Sequence, residues 1–166
     1  MVSTVPVKNR TTAMDEEVIV WIPQIQVCQH ERAGEFKLIR WAAEEGSGVT
    51  TTTGPLIPVT KEQMANEGLR IIMECLRTYR MWPAGTVHES EIGSMDSRTR
   101  SKFVKDHQFV DVLQRDRKSI NDRPNHRAGR GWRGITGYLH EEVRLNLPVT
   151  QEQFYQALLK AFEVAT

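Results

Sequence analysis

Apolar positions recur along this chain at two spacings, alternate residues in some stretches and every third or fourth in others, and the spacings divide it into strands and helices. Val18-Ile19-Val20-Trp21-Ile22 is a continuous β-branched and aromatic run that Pro23 interrupts and Ile25-Gln26-Val27-Cys28 resumes. That pattern predicts one long strand with a bulge or two short ones. His30 to Gly34 predicts a turn, and Phe36-Lys37-Leu38-Ile39-Arg40-Trp41 the returning strand of an antiparallel pair. After the loop Glu44-Glu45-Gly46-Ser47-Gly48, the threonines from Thr50 to Thr53 predict a short extended segment or a sheet edge. Met64, Gly68, Ile71, Ile72, Cys75, Leu76 and Tyr79 keep helical spacing, so a helix is expected from Thr60 to about Tyr79, stopped by Trp82-Pro83.

The second half repeats the alternation. An irregular stretch from Ala84 to Met95 leads into a short basic helix expected over Ser97 to Asp106, and Phe109-Val110-Asp111-Val112-Leu113 reads as a strand. The Arg-rich, Pro- and Gly-containing stretch that follows, through Gly134, reads as a loop. Ile135 to Leu139 and the strictly alternating Val143 to Leu147 supply the last strands, and a helix from Thr150 to about Val164 carries Phe154, Ala157, Leu158, Ala161 and Phe162 on one face. The two long helices open on nearly the same words, Pro58-Val59-Thr60-Lys61-Glu62-Gln63-Met64 and Pro148-Val149-Thr150-Gln151-Glu152-Gln153-Phe154. Thr60 and Thr150 suit the N-cap, Gln63 and Gln153 complete a capping box, and Val59 with Met64 and Val149 with Phe154 make a hydrophobic staple. Each half thus reads strand, strand, capped helix. The expected fold is α+β, a single domain with a mainly antiparallel sheet and two or three helices packed on one face. Residues 1–14 read as a flexible N-terminal arm and 15–166 as the single α+β domain.

With 166 residues the chain is long enough for one substantial core. It has no run of eighteen apolar residues and no basic-then-apolar leader, so a membrane span and a secretory signal are not expected and the cytoplasm is the default compartment. Cys28 and Cys75 both fall on apolar faces and are expected as buried free thiols. Charge changes the picture more. The formal net charge is +1, yet residues 98–133 hold eleven Lys or Arg against four Asp or Glu, and the rest of the chain eleven against seventeen. Such separation suits a charged macromolecular partner better than a small apolar ligand.

Few residues are arranged for chemistry. Gly129-Arg130-Gly131-Trp132-Arg133-Gly134 spells a dinucleotide fingerprint, but a polar loop precedes it and a strand follows, whereas that motif needs a strand before and a helix after. Its glycines better suit a loop that presents Arg127, Arg130, Trp132 and Arg133. Arginines interleaved with an aromatic suit single-stranded nucleic acid and protein interfaces alike. Asp116-Arg117-Lys118 after Asp111 has the acid-x-Lys form of metal-dependent nucleases, yet a working site needs a further carboxylate, and neither Asp96 nor Asp106 can be placed there from sequence. His88, His107, His126 and His140 show no zinc spacing, and no nucleophile motif occurs, so a non-catalytic protein without cofactor or metal is expected.

Ser101-Lys102-Phe103-Val104-Lys105-Asp106-His107, the strand from Phe109 to Leu113, and Gly131-Trp132-Arg133-Gly134 before a Leu-alternating strand and a final Ala/Leu helix resemble the immunity proteins of bacterial contact-dependent growth inhibition systems. The resemblance covers about residues 95–162. It implies a small cytoplasmic α+β protein that binds and neutralises a cognate toxin C-terminal domain, often a nuclease, by stoichiometric occlusion, in some pairs by adding a toxin strand to its own sheet. Local chemistry nominates Arg123, His126, Arg127, Arg130, Trp132 and Arg133, or the acidic Glu44 and Glu45, as partner-binding residues. The alternative is a nucleic-acid-binding protein using the basic segment 98–133, and the least favoured is a metal-dependent nuclease around Asp111 and Asp116.

Overall fold

A computed structural model describes residues 22–47, 49–127, 136–137 and 142–166, with His126, Arg127, Thr136 and Gly137 described as backbone. The expected arm over 1–14, the strand over 18–21, most of the strand over 135–139 and the loop bearing Arg130, Trp132 and Arg133 lie outside the described residues. In chain order the elements are β1 (Gln24–His30), β2 (Phe36–Glu44), β3 (Thr50–Val59), α1 (Lys61–Arg77), β4 (Met81–Trp82), α2 (Glu91–Ser94), α3 (Ser97–Asp106), β5 (His107–Asp116), β6 (Ser119–Pro124), β7 (His126–Arg127), β8 (Thr136–Gly137), β9 (Val143–Asn146) and α4 (Gln151–Val164).

Seven strands form one sheet in the order β9-β6-β5-β1-β2-β3, with β4 pairing parallel to the end of β2 at Ala43 and Glu44. All other pairings in it are antiparallel. The fold is α+β, as expected. Helices α1 and α4 cover one face, where Ile25, Val27, Phe36, Leu38, Val110, Val112 and Ile120 from the strands meet Met64, Ile72, Leu76, Phe154, Leu158 and Phe162. These strand residues alternate along their strands, so a single face carries them all. Among the described residues, Ile92 of α2 and Val104 of α3 pack on the opposite face over Cys28, Ile39 and Phe109.

Both capping boxes form. Thr60 and Thr150 accept from the backbone N–H of Gln63 and Gln153, each at 3.0 Å, and both glutamine side chains return a hydrogen bond to the cap. The two copies of the repeated word also pack together. Helix α1 passes α4 at Gly68, where an added Cβ would stand 2.6 Å from Met64 Sδ and 3.4 Å from Phe154. Gln151 ties the pair, its Nε2 donating to the carbonyls of Met64 and Ala65 at 2.9 Å each while its Oε1 accepts from the N–H of Leu69 at 2.8 Å.

Three expectations need correction. Residues 119–124 are a strand and not part of a loop: β5 runs on to Asp116, whose Oδ1 accepts from the Lys118 N–H at 2.8 Å and from Ser119 Oγ at 3.0 Å, and this turn folds β6 back onto β5. The threonine segment continues through Gly54 and Pro55 to Val59 as a ten-residue edge strand. Within the stretch read as irregular, Ser90 caps the short helix α2 by accepting from the Gly93 N–H at 3.0 Å. Cys28 is buried and Cys75 half-buried, both free, and burial pushes the Cys28 thiol up to about 12.

Candidate functional site

Of the nominated arginines, Arg123 is the one whose side chain is described, and it points inward. Gln26 on β1, Asp111 on β5 and Arg123 on β6 are cross-strand partners in one rung of the sheet, on the face opposite α1 and α4. Asp111 accepts from Gln26 Nε2 at 3.0 Å through Oδ1 and from Arg123 Nη2 at 2.9 Å through Oδ2. The two charged side chains are 8 % and 14 % exposed, so their pairing is screened little by solvent. Glu142, just before β9, extends the row: it accepts from Arg115 Nε at 3.2 Å and from Asn121 Nδ2 at 3.1 Å, and lies 3.9 Å from Arg123 Nη1. The Arg115 guanidinium holds the Glu142 carboxyl below its usual range.

This arrangement consumes the carboxylates of the nuclease alternative. Asp111 is committed to Arg123 and Gln26, while Asp116 stands five residues along the strand, about 17 Å away at strand spacing. There Asp116 anchors the β5–β6 turn and faces Arg144 Nη1 at 3.3 Å. Among the described residues no group of three His, Cys, Asp or Glu could hold a metal ion. His107 is buried, with Nδ1 2.8 Å from the Phe103 carbonyl oxygen and its ring stacked on Phe103 at 4.1 Å, and burial lowers its pKa. Asp122 is the unexpected group. It is fully buried on the helix-covered face, neither carboxyl oxygen has a hydrogen-bond partner among the described residues, and burial raises its pKa to about 7.

Glu44 and Glu45 stand elsewhere, on the order of 20 Å from Arg123, three strand lanes across and five residues along. Glu44 ends β2. Its carboxylate accepts from the Gly85 N–H at 3.1 Å and from Ser47 Oγ at 2.7 Å, and the first of these does most to lower its pKa. Glu45 is exposed in the following turn, its N–H bonded to the Trp82 carbonyl at 2.8 Å. Glu44 lines a cleft of 250 Å³ whose walls include Val49, Trp82, Pro83 and His88, with the Trp82 and His88 rings edge to face at 5.1 Å, and Glu45 follows it in the chain. Val49, Trp82 and Val87, exposed at 61 %, 39 % and 91 %, gather at this end of the molecule. An exposed indole beside aliphatic side chains and carboxylates has the composition of a protein-binding patch. From sequence Trp82 reads as a helix stop and a core or partly buried residue, and its meeting with Val49 in one cleft is a tertiary fact.

The two sheet edges differ. On β3 the outward N–H of Gly54 bonds the Glu89 carbonyl at 2.6 Å, that of Leu56 bonds Glu91 Oε1 at 2.9 Å, and Pro58 has none, so this edge is closed to another strand. On β9, Leu147 N–H points to Lys118 O, which by alternation turns the main-chain groups of Arg144 and Asn146 outward, and no described strand lies beyond them. The side chains of His126 and Arg127, and Arg130, Trp132 and Arg133 entirely, lie outside the described residues. Among the described residues no helix is long and apolar enough to cross a membrane.

No protein-family model matches the sequence. No curated protein matches it either. Solved structures do share its fold. One is a protein of unknown function from Neisseria meningitidis, 12 % identical, with a TM-score of 0.60 over 88 % of this chain and 96 % of that one. Another is a chain of the CdiA-CT/CdiI toxin and immunity complex from Yersinia pseudotuberculosis, 10 % identical, with a TM-score of 0.52 over 88 % of this chain and 98 % of that one.

Proposed function

We propose that this protein is a cytoplasmic, non-catalytic immunity protein that binds the C-terminal toxin domain, a nuclease, of a contact-dependent growth inhibition effector and neutralises it by stoichiometric occlusion. The observation that carries the reading is the likeness in fold to a chain of a toxin and immunity complex, which runs through 98 % of that chain. The resemblance of residues 95–162 to immunity proteins supports it independently of coordinates. The internal pairing of Asp111 with Arg123 and of Glu142 with Arg115 supports a structural rather than a catalytic use of these charges.

For the interface we favour the Glu44 and Glu45 end, where a nuclease's basic substrate groove would meet carboxylates around a partly exposed indole. The loop bearing His126, Arg127, Arg130, Trp132 and Arg133 is the second candidate contact. A toxin strand that joins the sheet would do so along β9, since β3 is closed. The test is co-expression in a sensitive host of the toxic C-terminal domain encoded beside this chain. Growth restored by this chain, and not by an immunity protein of another toxin, is the expected result; killing that is unaffected by it would refute the proposal.

The nucleic-acid alternative is favoured by one observation, the exposed Arg98, Lys102 and Lys105 along one side of α3. Its mark would be an affinity for single-stranded DNA or RNA that falls steeply with salt as counterions are released.

A further inference from the structure

β1 and β4 share one lane beside β2. β1 pairs with it from Phe36 to Arg40 and β4 pairs with Ala43 and Glu44, so in that lane no rung is made opposite Trp41 and Ala42 among the described residues. A cavity of 190 Å³ lies at this gap, and its lining includes Arg40, Arg80, Trp41, Trp82, Thr53 and Tyr79.

The lining holds two guanidinium-bearing residues and no carboxylate. Like Arg32, Arg98 and Arg117, neither Arg40 nor Arg80 has an ion pair among the described residues. Arg40 is also placed by the backbone. Gly54, at φ +74°, lets the guanidinium lie against β3, where an added Cβ would come within 2.9 Å of Nη2. Both arginines line one concavity, and an anion bound there would use their forked donors. Other lining residues suit the rest of such a ligand: Trp82 offers apolar surface and Thr53 carries a hydroxyl. At about 30 Å³ per water, the volume corresponds to roughly six waters, enough for a carboxylate or phosphate group with a short apolar stem and too little for a nucleotide.

We propose that the gap between β1 and β4 is a binding site for a small anionic group, a carboxylate or phosphate, held by Arg40 and Arg80 beside Trp82. The site shares Trp82 with the cleft proposed to face the toxin, and the titration reads it in the absence of toxin.

The test is a titration of the full chain at constant ionic strength with inorganic phosphate and, separately, with N-acetylglutamate amide, which presents one side-chain carboxylate. The indole N–H signal of Trp82 is followed by NMR. A saturable shift of this signal is expected with at least one probe, weakened about tenfold, or 1.4 kcal/mol, by Arg40→Gln and by Arg80→Gln, with the melting temperature of each variant unchanged in chloride. A response to phosphate alone assigns a phosphate-bearing small molecule, and a response to the glutamate derivative alone assigns a carboxylate of the kind a partner's side chain carries. No saturable shift with either probe, or an unchanged affinity in the Arg40→Gln, Arg80→Gln double variant, would overturn the site.

Discussion

Arg123 Nη2 donates to Asp111 Oδ2 at 2.9 Å across neighbouring strands, with both side chains almost wholly withdrawn from solvent. An arginine from the most basic segment of the chain is therefore part of the sheet's interior. Removing one member of a buried pair strands the other, so Arg123→Ala should cost about 3 kcal/mol in unfolding free energy. The check is a shift of the urea midpoint, and a midpoint equal to that of the wild type would mean the pair is not buried in solution.

Asp122 gives stability a pH dependence of the opposite sense to that of a paired carboxylate. Burial raises its pKa from the ordinary 3.8 to about 7, so between these values the folded chain binds more of this proton than the unfolded chain. The group's favourable contribution is fully present below about pH 4 and is lost as pH rises through 7. Asp122→Asn should raise stability at pH 8 by about 4 kcal/mol and leave it nearly unchanged at pH 4. Thermal or urea unfolding at the two pH values measures the difference, and an equal effect at both would contradict the assignment.

Gln151 spans a turn of α1 with three hydrogen bonds from the start of α4. Gln151→Ala leaves the Leu69 N–H without this acceptor and should cost about 2 kcal/mol. Hydrogen exchange at Leu69 should accelerate in the variant by the corresponding factor. Exchange as slow as in the wild type would show that the contact is not maintained.

How much of this was legible varied with how local the cause is. Thr60 with Gln63 and Thr150 with Gln153 set their helix starts within four residues, so sequence sufficed for both. Ser119 to Asp122 gave no strand signal, because three of these four buried residues are polar and their extended form comes from pairing with β5. The ladder and the Asp116 turn override local preference there. The same holds for the site. Arg123 reads as a surface cation until β5 and β6 are aligned and Asp111 is found opposite it. The acidic Glu44 and Glu45 were visible in the sequence, but the indole they flank was not, since Trp82 arrives from beyond α1.

The acidic end should respond to salt if it meets the toxin. Reversing Glu44 and Glu45 to Lys should weaken toxin binding about tenfold or more at low ionic strength and progressively less as salt screens the contact. Trp82→Ala should weaken it by a similar factor at every salt concentration, because the lost term is apolar. Calorimetric titration at two salt concentrations separates the two behaviours. Unchanged affinity in both variants would move the interface to the loop bearing Arg127, Arg130, Trp132 and Arg133, where charge reversal at Arg127 and Arg130 is the corresponding test.

The most direct measurement is a titration of the purified cognate toxin's nuclease activity with this chain, at toxin concentrations well above the dissociation constant. Occlusion predicts a linear fall that reaches zero at one chain per toxin, with a 1:1 complex by light scattering at the same point. Activity that persists at excess chain, or that vanishes well below equivalence, would contradict stoichiometric neutralisation.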